Sequence, residues 1–259
     1  MAGEPILIVD DTPVNLKLTR ILLVNEGYKV LTAASAEEAL ELLRGFRPRL
    51  VLADIQLPGI DGLEMTRRIK ADPATREILV IALTAFATKG DEQKAIEAGC
   101  DAYITKPIDT RTLGQRIRDL MDRSGTAAAA APVAGGEAKG QEKLSQPELA
   151  ALRRRFLEEG QEAARQMLLD LDGRFDPTAA ARKAHQWIGT AGLLGYTAIS
   201  RLARELEAVL QEKPVDSAQA RETLTNVVMA FTSPREARER TVPREQPTTV
   251  AIDSSSRSS

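Results

Sequence analysis

Five short apolar runs, each about the length of a strand, alternate with stretches of helical spacing, and four of them stop at polar or charged residues. The most telling is Arg49 to Asp54, where Leu50, Val51 and Leu52 run without a polar break into the carboxylate of Asp54 and then a turn rich in proline and glycine. An unbroken apolar run of that length suits a strand buried on both faces of a parallel sheet. The others are Pro5–Val9 before Asp10-Asp11, Tyr28–Thr32, Ile78–Leu83 before Thr84-Ala85, and Ala102–Thr105 before Lys106-Pro107. This alternation predicts an α/β fold, a doubly wound five-stranded parallel sheet. Sites in such sheets form at the carboxyl ends of the strands.

Parallel pairing would gather three carboxylates, a hydroxyl and an ammonium at one sheet edge. Crowded carboxylates repel and call for a cation. Asp10, Asp11 and Asp54 offer hard oxygen ligands of the kind Mg²⁺ takes beside phosphate oxygens and water. Any one of these residues alone reads as a turn residue or a cap. Their arrival together at strand ends changes that reading.

The acidic pair Asp10-Asp11, the lone Asp54 after a strand, Thr84-Ala85 and Lys106-Pro107 stand in an order and spacing that resembles the receiver domain of two-component response regulators. The resemblance covers residues 4 to about 122 and implies the flavodoxin-like receiver fold. It implies that Asp54 accepts a phosphoryl group from a phosphohistidine. It further implies that Asp10, Asp11 and Asp54 hold Mg²⁺, with the Gln56 backbone carbonyl as a further ligand. Thr84 and Lys106 would contact the phosphoryl oxygens, and Thr84 and Tyr103 would form the switch that reorients on activation. Gln56 and Phe86 match the positions that flank the water attacking the phosphoryl group. Elementary chemistry agrees, because aspartate can act as a nucleophile. Phosphoryl transfer asks mainly for in-line positioning and charge neutralisation.

Local signals place the helices between the runs. Pro13 follows Thr12 at a helix start, Ser35 with Glu38 reads as a capping box, and Asp61 and Asp109 read as caps. Residues 1–123 are thus expected to form the receiver. Residues 124–143, with five consecutive alanines and then proline and glycine, read as a linker. Residues 144–232 show helical spacing in five stretches: Glu148–Leu157, Gln161–Leu171, Pro177–Leu194, Ala198–Leu210 and Ala218–Phe231. They predict an all-α helical bundle. Residues 233–259 lose apolar density and read as a disordered tail.

His185 is the only histidine in the chain. Ala180, Ala184, Trp187, Ala191 and Leu194 make one core stripe at helical spacing. At about 100° per residue, His185 lies roughly 130° from its centre and is expected to point outward. Gly189 and Gly192 share its face within about 40°. A mid-helix glycine costs about 1 kcal/mol against alanine, so two of them imply close access by a partner.

With His185, Gly189, Ala191 and Gly195, the segment AHQWIGTAGLLG at 184–195 resembles the histidine phosphotransfer (HPt) family, and a helix carrying Leu206-Glu207 follows it. The resemblance implies a four-helix bundle whose exposed His185 carries a phosphoryl group. It departs at Ile188, where the family often has lysine. On that reading Ile188 shares the surface with Gly189 and Gly192. The relay is then expected to be slower or more selective, and a lysine at 188 to raise phosphorylation without altering the fold.

Composition excludes other classes. Of 259 residues, 43% are apolar, and the net charge of −2 gives no reason to expect nucleic acid. Cys100 is the single cysteine, and no long apolar span appears, so a cytoplasmic protein that does not associate with membrane is expected. The two resemblances together imply a phosphorelay carrier without a kinase catalytic domain. It would be served upstream by a sensor histidine kinase or phosphohistidine protein, with another receiver or a histidine kinase docking at the HPt-like bundle. A rival reading makes the bundle a docking module gated by the receiver that carries no phosphate, supported by Ile188. A phosphatase of the haloacid dehalogenase type would need a second aspartate where Gln56 stands.

Overall fold

The computed structural model describes residues 3–85, 89–108, 110, 112–123 and 145–234. The first half alternates β1 (Pro5–Val9), α1 (Pro13–Asn25), β2 (Lys29–Ala33), α2 (Ala36–Gly45), β3 (Leu50–Asp54), α3 (Gly62–Ala71), β4 (Leu79–Thr84), α4 (Lys89–Glu97), β5 (Ala102–Thr105) and α5 (Leu113–Arg123). The strands form one sheet in the order β2-β1-β3-β4-β5, with every pair parallel. This is the doubly wound α/β fold that the alternation of apolar runs predicts.

The central strand explains the apolar runs. All five residues of β3 are buried. Side chains alternate across a strand, so Leu50 and Leu52 join Ile6 and Ile8 in one apolar cluster while Val51 and Ala53 join Leu7 and Val9 in the other. Each buried Leu or Val contributes about 1.5–3 kcal/mol. Register then delivers the acids to one edge. Val9 pairs with Ala53 and Asp54 with Leu83, so Asp10, Asp54 and Thr84 emerge side by side.

Helix starts follow local chemistry. Pro13 occupies the first turn of α1. Ser35 accepts from the Glu38 backbone N–H at 3.2 Å, and Asp61 from that of Glu64 at 2.7 Å. The anticipated cap Asp109, the linker at 124–143 and Phe86 lie outside the described residues, as does the anticipated tail beyond Pro234.

The second half is a bundle of α6 (Gln146–Asp170), α7 (Pro177–Leu194), α8 (Thr197–Gln211) and α9 (Ser217–Thr232). Ser145 and Glu148 form a capping box at the start of α6. Asp176 caps α7, and Gly195, at φ 86°, ends it in the left-handed conformation that glycine accepts freely. Trp187, Ile199, Leu206, Leu224 and Phe231 belong to the core, with Trp187 set edge-on to Phe231 at 5.2 Å. No helix among the described residues is long and apolar enough to cross a membrane.

One expectation changes here. Glu148–Leu157 and Gln161–Leu171 are not two helices but one, because Gly160 does not break α6. It makes room instead: a Cβ built there would lie 2.2 Å from Cε1 of Phe231. Alanine at 160 gains about 1 kcal/mol of helix propensity, and overpacking costs about 1–3 kcal/mol. Gly160→Ala is therefore expected to lower unfolding free energy by up to about 2 kcal/mol in denaturant titrations. Gly173→Ala, which meets nothing within 4 Å, serves as the control. A more stable Gly160→Ala chain would contradict this packing.

Candidate functional site

The site grows from the carboxyl edge of the sheet. β1 presents Asp10 and Asp11, β3 presents Asp54, β4 presents Thr84, and the residue after β5 is Lys106. The loop after β3 folds back on its strand: the Gly62 N–H donates to the Ile55 carbonyl at 2.9 Å. A Cβ at Gly62 would sit 2.1 Å from the Asp54 carbonyl oxygen, so only glycine allows this return. Lys106 is tied to β4 through its N–H, which donates to the Thr84 carbonyl at 2.7 Å.

Asp54 is fully buried, and both its oxygens are used. The Gln56 backbone N–H donates to Oδ1 at 3.1 Å, and Lys106 Nζ donates to Oδ2 at 2.5 Å. Lys106 Nζ also stands 3.7 Å from Asp10 Oδ2. Burial alone would push the Asp54 carboxyl up, but Lys106 and His185 outweigh it and hold the group at about 2. For Asp10 burial prevails: with Asp54 adding to it and Lys106 opposing, its carboxyl is raised to about 6. Burial opposes the charge on Lys106, yet Asp54 and Asp10 raise its pKa above the ordinary lysine value.

One oxygen from each of Asp10, Asp11 and Asp54 can be chosen so that all lie within 4.8 Å of one another. Three hard oxygen donors at that spacing fit a small divalent cation. Thr84 is buried and Tyr103 half-buried on the neighbouring strands.

The bundle completes the site. α7 lies against α1 and the residues after β5, and His185 faces Asp54 with Nε2 3.6 Å from Oδ2. Its other nitrogen, Nδ1, is 3.2 Å from Glu207 Oε1 on α8. A carboxylate accepts, so Nδ1 carries the hydrogen and Nε2 is the atom turned to Asp54. His185 Nε2 is buried with no hydrogen-bond partner among the described residues. Burial works against an imidazolium here, but the contacts with Asp54 and Glu207 prevail and raise His185 to about 9.

Polar contacts lock the two halves together. Asn15 Nδ2 donates to Asp10 Oδ1 at 3.1 Å, and its Oδ1 accepts from Thr190 Oγ1 at 2.9 Å. Gln186 Nε2 donates to Asp11 Oδ2 at 3.3 Å, and the Arg204 guanidinium donates to the Lys106 carbonyl. Apolar packing is continuous across the junction, because Leu193 and Leu194 share a cluster with Leu18, Ile104 and Ile108.

The expectations for α7 need two corrections. His185 leaves its bundle's core stripe as expected but is not exposed, because the receiver half covers it and only 4% of its surface remains accessible. Ile188 is not a surface neighbour of Gly189 and Gly192. It is fully buried, in a cluster with Trp187, Leu206 and Ala85. Treating α7 as having one buried stripe misplaced it, for the helix is enclosed by the bundle on one side and the receiver on the other.

Sequence reasoning also missed Asn15, Thr190 and Arg204, and it noted Glu207 without a role. Asn15 and Glu207 carried a signal: each is a polar residue within the buried stripe of its helix, near Leu18 and Thr19 on α1 and Ala203 and Leu210 on α8. Since Ile188 is interior, Ile188→Lys buries an ammonium without a partner. It is expected to lower the unfolding midpoint sharply, whereas Ile188→Met should cost under about 1.5 kcal/mol. Equal midpoints in thermal unfolding would return residue 188 to the surface.

Comparison with known proteins agrees with this architecture. Residues 6–118 match the family model for the response regulator receiver domain, and residues 151–231 that for the Hpt domain. The polar-differentiation response regulator DivK of Brucella anthropi is 45% identical over 118 residues, spanning 46% of this chain and 96% of that protein. DivK of Brucella ovis has the same identity and coverage, 45%, 46% and 96%. The crystal structure of a putative response regulator from Chloroflexus aurantiacus J-10-fl is similar at 32% identity and a TM-score of 0.45, covering 47% of this chain and 99% of that one.

Proposed function

The chain belongs to the response-regulator family, with an Hpt domain following its receiver domain, and from that premise we propose that it is a two-component phosphorelay protein working through Asp54 and His185. The observation that carries the reading is the pairing of the two candidate acceptors. Asp54 sits among Asp10, Asp11 and Lys106, and His185 Nε2 faces it at 3.6 Å.

Asp54 attacks the phosphorus of a phosphohistidine on a sensor histidine kinase or a phosphohistidine protein. The new O–P bond forms as the N–P bond breaks, and the donor imidazole departs with the electron pair. Lys106 and the Thr84 hydroxyl receive the phosphoryl oxygens, and Thr84 with Tyr103 registers the change. Asp10, Asp11, Asp54 and the Gln56 carbonyl would hold Mg²⁺, whose positive charge would let the acidic cluster and the phosphoryl oxygens share one pocket. His185 is the carrier on the Hpt domain, and Glu207 holds its ring by Nδ1. The alternative, a docking module that carries no phosphate, loses its main support because Ile188 lies in the core.

Receiver labelling from a phosphohistidine donor tests the reading. Asp54→Asn is expected to reduce base-labile phosphate to background, since the amide is no nucleophile, and chelation of Mg²⁺ is expected to do the same. His185→Gln is expected to remove acid-labile phosphate and leave the base-labile label. Base-labile label on Asp54→Asn would refute the assignment. Full labelling in excess chelator would refute the metal site.

A further inference from the structure

The two glycines of α7 show what the transfer face of the bundle is shaped to receive. A Cβ at Gly189 would have as its three nearest neighbours Asn15 Nδ2 at 3.0 Å, Lys106 Nζ at 3.5 Å and Asn15 Cγ at 3.7 Å. One at Gly192 would meet Pro107 Cβ at 2.4 Å, Pro107 Cα at 2.9 Å and the Ile108 nitrogen at 3.5 Å. All six atoms belong to the receiver of the same chain. The absent side chains are thus filled by the α1 start and by the loop after β5, the two elements that flank Asp54.

The specific contacts point the same way. Thr190 to Asn15, Gln186 to Asp11 and Arg204 to the Lys106 carbonyl each join a bundle residue to a receiver residue at the phosphoacceptor edge. Thr190 and Asn15 are both buried, and leaving either without the other would cost about 1–3 kcal/mol. The fit therefore discriminates between receivers, since a residue at position 15 that offers no acceptor leaves the Thr190 hydroxyl unpaired. The fit also has a consequence for access. With Asp54 at 0%, Lys106 at 2% and His185 at 4% exposure, neither acceptor can be reached from solvent while the halves are joined.

We propose that this face is addressed to the chain's own receiver: phosphate exchanges between Asp54 and His185 within one molecule, and the joined state is closed to outside donors. The proposal rests on the relay reading above. While the halves are parted, His185 is away from the Asp54 carboxylate that favours its imidazolium, and its Nε2 proton passes to solvent. On rejoining, the Nε2 lone pair forms the N–P bond while the acyl O–P bond breaks, and the Asp54 carboxylate keeps the electron pair. The Nδ1 hydrogen stays in its bond to Glu207. Loading from an outside donor requires the halves to part, so loading and internal exchange alternate.

The test uses the full chain, radiolabelled acetyl phosphate as donor, and Mg²⁺. Wild type is expected to build acid-labile phosphate on His185 at a rate that does not change on hundredfold dilution of the chain. An equimolar mixture of Asp54→Asn and His185→Gln chains, which can exchange only between molecules, is expected to be at least tenfold slower and to slow further on dilution. Gly192→Leu inserts a side chain at the junction. It is expected to speed base-labile labelling of Asp54 severalfold while abolishing label on His185, a pair of opposite effects that misfolding cannot produce. Thr190→Val, a milder change, is expected to move both rates in the same directions.

Label on Asp54 with none on His185 in wild type refutes the relay itself. Label on His185 that follows chain concentration, or equal rates in wild type and mixture, overturns the internal address and leaves the relay standing. Should Gly192→Leu fail to fold, the dilution and mixing results decide alone.

Discussion

A carboxylate without solvent must have its charge answered, and the site depends on how Asp54 meets that demand. The group stands at the end of the central strand with no accessible surface. An isolated buried carboxylate is costly enough to neutralise instead, yet this one is held ionised by Lys106 and His185, while the Gln56 N–H donates to its other oxygen. The need for such partners sets the surroundings. Lys106 must follow β5 directly, Gly62 must let the loop return against the Asp54 carbonyl, and Asn15 must occupy part of the Asp10 carboxylate. A buried ion pair of this type adds little net stability, but loss of one partner is strongly destabilising. Its effect is a carboxylate kept charged and fixed in place.

The bundle meets that edge with the complement of what it lacks. Two glycines remove bulk from α7, so the helix backbone itself approaches Lys106 and Pro107. His185 then enters as a partner of Asp54 with its ring aimed by Glu207. Arranged so, Asp54 and His185 come from different halves of the chain but lie buried together. The apolar cluster running from Ile104 and Ile108 into Leu193 and Leu194 makes the junction part of the packed interior.

Much of this was legible from residues alone, for identifiable reasons. Strands buried on both faces must be apolar throughout, so β1, β3 and β4 stand out within a residue of their ends. Acids at strand ends mark the sheet edge that parallel pairing assembles, so Asp10, Asp11 and Asp54 could be grouped before any coordinates. What was not legible depends on contacts between distant segments. Gly160 has the look of a helix break until Phe231 is seen against it. Ile188 falls beside the core stripe on a helical wheel and is interior only because α7 is covered on two sides. Thr190 and Arg204 are ordinary helix residues whose partners, Asn15 and the Lys106 carbonyl, lie in the other half of the chain. Asn15 and Glu207 could have been found, since a polar residue inside an apolar stripe has to be satisfied by something.

The Hpt domain sits on the receiver of its own chain, with α7 against the residues after β5. Nuclear Overhauser effects measure that directly. In a dilute sample of the uniformly labelled chain, the Gly192 α-protons are predicted to show cross-peaks to the Pro107 ring protons. In a mixture of labelled and unlabelled chains, filtering for contacts between molecules is predicted to remove those cross-peaks. Their absence from the first sample, or their survival through the filter in the second, would contradict this packing.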